Sequence, residues 1–291
     1  MGYQLWTSKL TGYRRKGTKF TSLKQIFTDN VTAKSICEPL LCCPINSNGI
    51  DAKNALEARD FDVAGVKNEE DGQVIGYVIA NEIGDDILNN YTNSITHEDL
   101  ISDSTPIAKI LEVLSKKEYL FVIYGNEITG IITIADINKP PVRIYIFGII
   151  SLLEMHLNLW INHYYPNESW IKNIIKRRIE EAQKIYEKRK GDNLDLSLLE
   201  CIQLCDKRDL LNKNRNFREC FKFSKKQFDK FIKRAERIRN ELAHSQNSIT
   251  SNMSWEKFVT TISLAENYLL ISDNEVERIA KEGTDFLDIL I

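Results

Sequence analysis

The sequence predicts an α+β protein, in which a repeated α/β unit precedes an all-helical half. Between residues 21 and 139, short runs of β-branched and aromatic residues alternate with helical patterns. From residue 142 onward the apolar residues recur at helical spacing. Charge divides the chain in the same way: residues 21–105 hold five bases and fifteen acids, whereas residues 166–250 hold twenty-one bases and thirteen acids. A chain of 291 residues can hold two such domains.

Composition favours an ordinary globular protein of the cytoplasm. Hydrophobic residues make up 43% of the chain, and no run of eighteen apolar residues predicts a spanning helix. The first residues, Met1 to Trp6, contain no apolar signal core. The six cysteines show no paired C-x-x-C, and the four histidines show no metal-ligand spacing. We therefore expect reduced cysteines, a cytoplasmic location, no membrane partner and no metal.

The first half contains an internal duplication of about 60 residues. Each copy consists of a helix followed by a β-hairpin, with the turns in Asn68–Gly72 and at Gly125-Asn126. The predicted helices and strands are Ala52–Arg59, Asp60–Val66 and Gly72–Ile79 in the first copy, and Pro106–Lys116, Tyr119–Tyr124 and Ile128–Ile134 in the second.

The second copy ends in the pattern Gly130-Ile-Ile-Thr133-Ile-Ala-Asp136. A threonine at a strand end, beside free backbone N–H groups, can hold a phosphate, and an aspartate can accept both ribose hydroxyls. The pattern and the duplication resemble a pair of CBS domains. That resemblance implies a site for an adenine nucleotide at Gly130, Thr133 and Asp136, with ATP, ADP or AMP as the regulatory ligand.

The first copy departs from the pattern, since Ile79 and Glu82 replace the threonine and the aspartate. We therefore expect one nucleotide site per chain. Lys139 and Arg143 follow Asp136 by one or two helical turns and could reach a phosphate, or could be ordinary surface cations.

The second half reads as an up-down helix bundle with short connections. The predicted helices are Val142–His163, Trp170–Arg189, Asp195–Asn212, Ser224–Gln246 and Trp255–Leu270, with a short one at Glu275–Lys281.

The fourth of these helices carries Arg239-Asn240-x-x-x-His244. Its apolar residues define a buried stripe that includes Phe228 and Leu242, and Asn240 and His244 point nearly opposite that stripe. An outward histidine can exchange protons near neutral pH, and an arginine can neutralise a phosphate.

This spacing resembles the motif of HEPN-type ribonucleases. The resemblance implies a dimeric, metal-independent endoribonuclease that cleaves RNA through Arg239, Asn240 and His244 and needs no cofactor for catalysis. An acidic residue of the first bundle helix supports the site in some members, and Glu154 is the candidate here. The expected partners are RNA, an adenine nucleotide and a second copy of the chain, and not DNA.

The short motif could also occur on a surface helix without catalysis. The rival hypothesis is a non-catalytic nucleotide sensor, whose helical domain dimerises or binds RNA. The predicted domains are a basic arm at residues 1–20, a CBS-like pair at residues 21–140 and a HEPN-like helical domain at residues 141–291. Whether the arm contacts nucleic acid or packs on its own domain stays open.

Overall fold

The computed structural model describes residues 19–191, 197–244, 248–250 and 252–282. Contacts divide the chain into a strand unit, Phe27–Val142, and a helical unit, which combines Met1–Ile26 with Arg143–Ile291. The α-helices are α1 Phe20–Asn30, α2 Gly49–Glu57, α3 Ile107–Val113, α4 Pro140–Tyr164, α5 Lys176–Gly191, α6 Leu204–Lys213, α7 Arg215–Cys220, α8 Lys225–Ala243 and α9 Trp255–Glu282. The strands are β1 Glu38–Pro39, β2 Cys42–Pro44, β3 Val63–Lys67, β4 Val74–Ile79, β5 Leu100–Ser102, β6 Tyr119–Tyr124 and β7 Glu127–Thr133.

The strand unit contains the predicted duplication. In the first copy, β2 runs parallel to β3, and β3 pairs antiparallel with β4. In the second copy, β5 runs parallel to β6, and β6 pairs antiparallel with β7. One helix, α2 or α3, connects the parallel strands in each copy. Both predicted hairpins are confirmed, whereas the three-residue strands β2 and β5 were not predicted.

Each copy lends its leading segment to the other copy's sheet. Strand β1, which precedes the first copy, pairs antiparallel with β7 of the second, where Pro39 faces Gly130. Asn93, which precedes the second copy, bridges to Tyr77 of β4 in the first. Glycine is required at Gly76, because a Cβ there would lie 2.6 Å from the Asn93 carbonyl oxygen. The crossing at Gly130 is less tight, since a Cβ there would lie 3.1 Å from the Glu38 carbonyl oxygen.

Burial alternates along β4 and β7, whereas β3 and β6 each bury three consecutive residues. In the first copy, the hairpin and its helix bury a cluster that consists of Ala52, Leu56, Ala64, Val66, Val78, Ala80, Ile83 and Leu88. Between the copies, the Tyr77 ring packs on the rings of Tyr119 and Phe121, with centroids 5.6 and 5.2 Å apart.

The helical half of the prediction is confirmed in its main elements, with three corrections. The helix predicted for Trp170–Arg189 begins as a 3₁₀ turn, Ile171–Asn173, and the α-helix starts only at Lys176. The one predicted for Asp195–Asn212 is a 3₁₀ turn at Leu198–Cys201 followed by α6, because Gln203 adopts an extended conformation. Residues 192–196 and 245–247 lie outside the description, as does the predicted basic arm apart from Lys19 and Phe20.

Helix α9 is continuous through residues 271–274, the polar segment at which the prediction divided it into two helices. Ser272 is fully buried there, and its hydroxyl accepts a hydrogen bond from the Trp160 indole at 2.6 Å. The same hydroxyl lies 2.6 Å from Nδ1 of His156, which is also fully buried. These partners satisfy a polar residue inside the helical core, so the helix need not end.

The expectation that no segment could span a bilayer was too strong. By length and composition alone, α4 is sufficiently long and apolar, with a mean hydropathy of 1.6 over its most apolar window. Half of that window is buried inside the protein, and a core helix can have the same composition. Its exposed apolar residues include Ile144 and Phe147.

Candidate functional site

The Gly130–Asp136 motif folds into a strand end followed by a 3₁₀ turn, Ile134–Asn138. The backbone N–H of Thr133 donates to Asp136 Oδ2 at 2.7 Å, and the Thr133 hydroxyl accepts from the Ala135 N–H at 3.2 Å. This reciprocal capping explains the spacing of threonine and aspartate, because each satisfies a backbone donor at the start of the turn. It also fixes the aspartate in one orientation.

Lys139 binds the other oxygen of the Asp136 carboxylate. Its ammonium lies 2.8 Å from Asp136 Oδ1 and also contacts the Glu38 carboxylate and the Ile36 carbonyl oxygen. Partial burial opposes the charge, but the hydrogen bonds to the two carboxylates outweigh it and raise the pKa of Lys139. Asp136 is only 6% exposed. A diol could therefore reach Asp136 only after Lys139 moves.

The equivalent turn of the first copy lacks this arrangement. Ile79 precedes the 3₁₀ turn Ala80–Glu82 and makes no side-chain cap. Of the five residues predicted for a nucleotide site, Gly130, Thr133, Asp136 and Lys139 lie in the strand unit. The fifth, Arg143, is half-buried in α4 of the helical unit.

A cleft of about 320 Å³ lies at the far end of β7 from Thr133, between the two hairpin turns. The sequence did not predict it. Its walls are mixed polar and apolar, and they comprise Leu40, Cys42, Lys67, Asp71, Gly72, Gln73, Val74 and Asn126–Thr129.

Helix α8 positions the Arg239-Asn240-x-x-x-His244 motif. Ser224 caps its start, with the Gln227 side chain returning to the Ser224 N–H at 3.0 Å. Its buried face includes Phe228, Phe231, Ile232, Ala235 and Ile238. Leu242, predicted to be buried, is only half-buried, because the helix ends one residue later.

The motif residues lie at the exposed end of the helix. Asn240 and His244 are exposed, and Arg239 is half-buried. His244 is the C-cap, and its backbone N–H donates to the Asn240 carbonyl oxygen at 3.0 Å. The Arg239 guanidinium donates to Asn240 Oδ1 at 3.1 Å. An amide and a cation therefore adjoin each other one turn before an imidazole that reaches solvent.

Glu154 joins this group from α4. One carboxylate oxygen, Oε2, lies 3.8 Å from Nη1 of Arg239. The other, Oε1, accepts a hydrogen bond from the Lys207 ammonium at 2.7 Å. The side chain of Lys207 on α6 is 1% exposed, so this lysine is buried, and Glu154 is its one carboxylate partner in the described part of the chain. The burial of Lys207 was not predicted, because a lysine among charged residues is usually at the surface.

His156 has no access to solvent, and burial lowers its pKa to about 4. His163 is exposed at the edge of Trp160, and partial burial lowers its pKa as well. Among the described residues, no three His, Cys, Asp or Glu side chains gather as they would around a metal ion.

No protein-family model and no curated protein matches the sequence. Solved structures similar to part of the chain include an uncharacterised conserved protein from Pyrococcus horikoshii, with 17% identity and a TM-score of 0.34 over 38% of this chain and 90% of that one. The CBS domain of a bacterial CNNM/CorC family Mg²⁺ transporter in complex with ATP is 10% identical, with a TM-score of 0.34 over 41% of this chain and 92% of its own.

A third similar structure is a CBS domain protein from Pyrobaculum aerophilum complexed with AMP. It is 13% identical, and its TM-score is 0.34 over 39% of this chain and 96% of that one. The chain is thus a mixed α and β protein, with an N-terminal region similar to CBS-domain structures and a helical C-terminal region.

Proposed function

We propose that the protein is an adenine-nucleotide-sensing, metal-independent endoribonuclease that acts as a dimer. The observation that carries the proposal is the cluster at the end of α8. Arg239 lies between Glu154 and Asn240, and His244 is exposed one turn further on. These residue types can bind a phosphate and move a proton beside it.

The reaction is attack by a ribose 2′-oxygen on the adjacent phosphorus. The 2′-hydroxyl loses its proton to a base, the bond from phosphorus to the 5′-oxygen breaks, and that oxygen gains a proton from an acid. The products are a 2′,3′-cyclic phosphate and a free 5′-hydroxyl. Arg239 neutralises the charge that develops on the phosphoryl oxygens, and Asn240 holds the phosphate or the imidazole.

One imidazole per chain does not supply both the base and the acid at the same moment. A neutral His244 accepts the first proton, and a protonated one donates the second. His156 is enclosed, so it does not supply the missing group. A second His244 from a twofold-related copy would complete the pair, and this requirement supports a homodimer.

In the strand unit, the proposed ligand is ATP, ADP or AMP. Asp136 accepts the ribose hydroxyls, Thr133 and nearby N–H groups hold a phosphate, and Gly130 keeps the leading strand close. Lys139 leaves Asp136 as the ribose arrives and moves to a phosphate. Because Lys139 also contacts Glu38, its departure would release the segment that covers β7.

Cleavage of RNA in a chelating buffer tests the catalytic half. Wild type and His244→Ala are compared with and without ATP, ADP and AMP, and the product ends are analysed. Wild type should leave 2′,3′-cyclic phosphates, and His244→Ala should lose at least about a hundredfold in rate, the usual worth of an acid–base group. His163→Ala is the matched control, because that histidine is also exposed but lies on α4. Equal rates for wild type and His244→Ala would remove His244 from the mechanism.

A non-catalytic sensor is the second candidate. It is favoured by the contacts that Arg239 makes within its own chain, since pairing with Glu154 and Asn240 could serve only to fasten the end of α8. RNA binding without turnover, and cyclic phosphate ends absent from every RNA tried, would select this function.

Calorimetry with ATP and AMP tests the nucleotide half. Asp136→Ala should abolish the binding heat, whereas Glu82→Ala, at the equivalent position of the first copy, should leave it unchanged. Heat that is the same for wild type and Asp136→Ala would place the ligand elsewhere.

A further inference from the structure

One face of α8 carries a row of cations that leads to the proposed catalytic histidine. Lys226, Lys230, Lys233 and Arg237 are all exposed. At about 100° per residue, each lies within about 40° of the direction of His244, as does Asn240. The row, here called the α8 stripe, therefore runs straight along the helix for about 27 Å from Lys226 to His244.

The charges of the stripe are largely uncompensated. Lys233 pairs with Asp229 at 2.9 Å, and Asp229 is shared with Arg208 at 3.3 Å. Within the part of the chain that the structure describes, no ion pair engages Lys226, Lys230 or Arg237. Glu241 at the flank already accepts a hydrogen bond from the Asn252 amide. These three cations thus face solvent in a line that ends at Asn240 and His244.

The composition of this face indicates what kind of partner it fits. Every residue on the stripe is polar, so it offers no apolar pocket to the side chains of a peptide or to a nucleobase. Evenly spaced cations on a straight rod suit a chain of phosphates, which need charge and no particular base sequence. The opposite face of α8 is buried and fixes the spacing.

We infer that the α8 stripe is the track on which a single strand of RNA lies, held by its backbone and directed toward His244. The inference rests on the proposed ribonuclease function and deepens it. It specifies a substrate gripped through consecutive phosphates on one side of the scissile bond. Binding along the stripe is therefore independent of base sequence, and it weakens with salt.

The test is fluorescence anisotropy with a labelled oligouridine, in full-length protein that carries His244→Ala so that no RNA is consumed. Titrations at about 50 to 200 mM salt give the slope of log affinity against log salt. The triple variant Lys226→Gln, Lys230→Gln, Arg237→Gln should lower that slope by about 2, since each phosphate contact on a single strand contributes about 0.7.

A matched variant removes the same charge from another exposed helix. Lys176, Lys184 and Lys188 of α5 are exposed, and changing all three to glutamine should leave the slope unchanged. The double variant Lys226→Arg, Lys230→Arg should also retain the salt slope, because both positive charges remain. Circular dichroism melts verify that each variant is folded.

The inference fails if the His244→Ala protein binds no RNA, or if the α8 and α5 triple variants lower the salt slope by the same amount. It also fails if polyglutamate binding shows the same dependence on the stripe. These results differ from failure of the proposed function. Salt-dependent binding along the stripe without any cleavage would support the RNA track and exclude the catalysis. Cleavage by wild type, combined with an unaltered salt slope in the α8 triple variant, would support the catalysis and exclude the track.

Discussion

Each unit of the protein contains a carboxylate bound to a lysine, and the two pairs differ in burial. In the strand unit, the side chain of Lys139 is 28% exposed and has two carboxylates and a carbonyl around it. In the helical unit, the side chain of Lys207 is 1% exposed, and its one carboxylate partner among the described residues is Glu154. A lysine with several partners near solvent can exchange them, whereas a buried one cannot leave without great cost. The first pair therefore suits a replaceable contact, and the second suits a permanent one.

Removal of the buried partner should have the largest effect. Glu154→Ala leaves the Lys207 ammonium unpaired in the core and should lower the free energy of unfolding by about 3 kcal/mol, less than for a fully enclosed pair because Glu154 itself reaches solvent. Glu154→Ala combined with Lys207→Met should recover most of that loss. Denaturant unfolding followed by tryptophan fluorescence measures both. Glu112→Ala, in an exposed pair with Lys109, is the control and should cost less than about 1 kcal/mol. A similar loss for Glu154→Ala and Glu112→Ala would contradict the distinction.

Acid should weaken the helical unit next. Burial holds the pKa of His156 at about 4, below its unfolded value of 6.5. The unfolded chain therefore takes up a proton that the folded chain refuses, and stability falls as the pH drops from 6.5 toward 4. The loss should reach about 2 kcal/mol by pH 5, at 1.36 kcal/mol per unit. Trp160 and Trp170 are buried in this unit and report its unfolding. His156→Gln should flatten the dependence over that range, and a slope that persists in this variant would assign it to other groups.

The two glycine crossings of the strand unit should come next, with losses no larger than the one that acid causes. Gly76→Ala would place a Cβ 2.5 Å from the Thr92 methyl group and 2.6 Å from a carbonyl oxygen, whereas Gly130→Ala would meet its nearest atom at 3.1 Å. We expect a loss of about 2 kcal/mol for the first and about 1 for the second, as is usual for overpacking. Gly191→Ala is the control, because nothing lies within 4 Å of a Cβ there. The reverse order of the two losses would show that the leading segments move apart freely.

The exchangeable pair should show the smallest effect on stability and a distinctive effect on binding. Lys139→Met should cost about 1 kcal/mol of stability. It should also raise the affinity for adenosine several-fold, because Asp136 is then open to the ribose. The affinity for ATP should fall instead, since the cation that moves to the phosphate is lost. Calorimetry with both ligands measures the two shifts, and a change in the same direction for both would mean that Lys139 does not alternate between carboxylate and phosphate.

Sequence predicted what repeats along the chain and missed what depends on packing. The hairpins that contain β3, β4, β6 and β7 were found because their strands are long and their turns carry glycine. Strands of two or three residues, such as β1, are too short to show an alternation. The reciprocal capping of Thr133 and Asp136 joins residues only three apart, so the sequence motif itself includes both partners.

The environment of Lys207 could not be predicted in the same way. It depends on α4 and α6 meeting at a particular level, and a lysine gives no sequence sign of burial. Likewise, the prediction ended a helix at Leu270, just before Ser272, because the partners of that serine, His156 and Trp160, are more than a hundred residues away.

The exchange of leading segments has a consequence for the independence of the two copies in the strand unit. Each copy's last strand is covered by residues that precede the other copy, β1 in one case and Asn93 in the other. A solitary copy would leave that sheet edge bare, and bare edges recruit neighbours. The two copies are therefore interdependent, because separating them would leave the last strand of each without its cover.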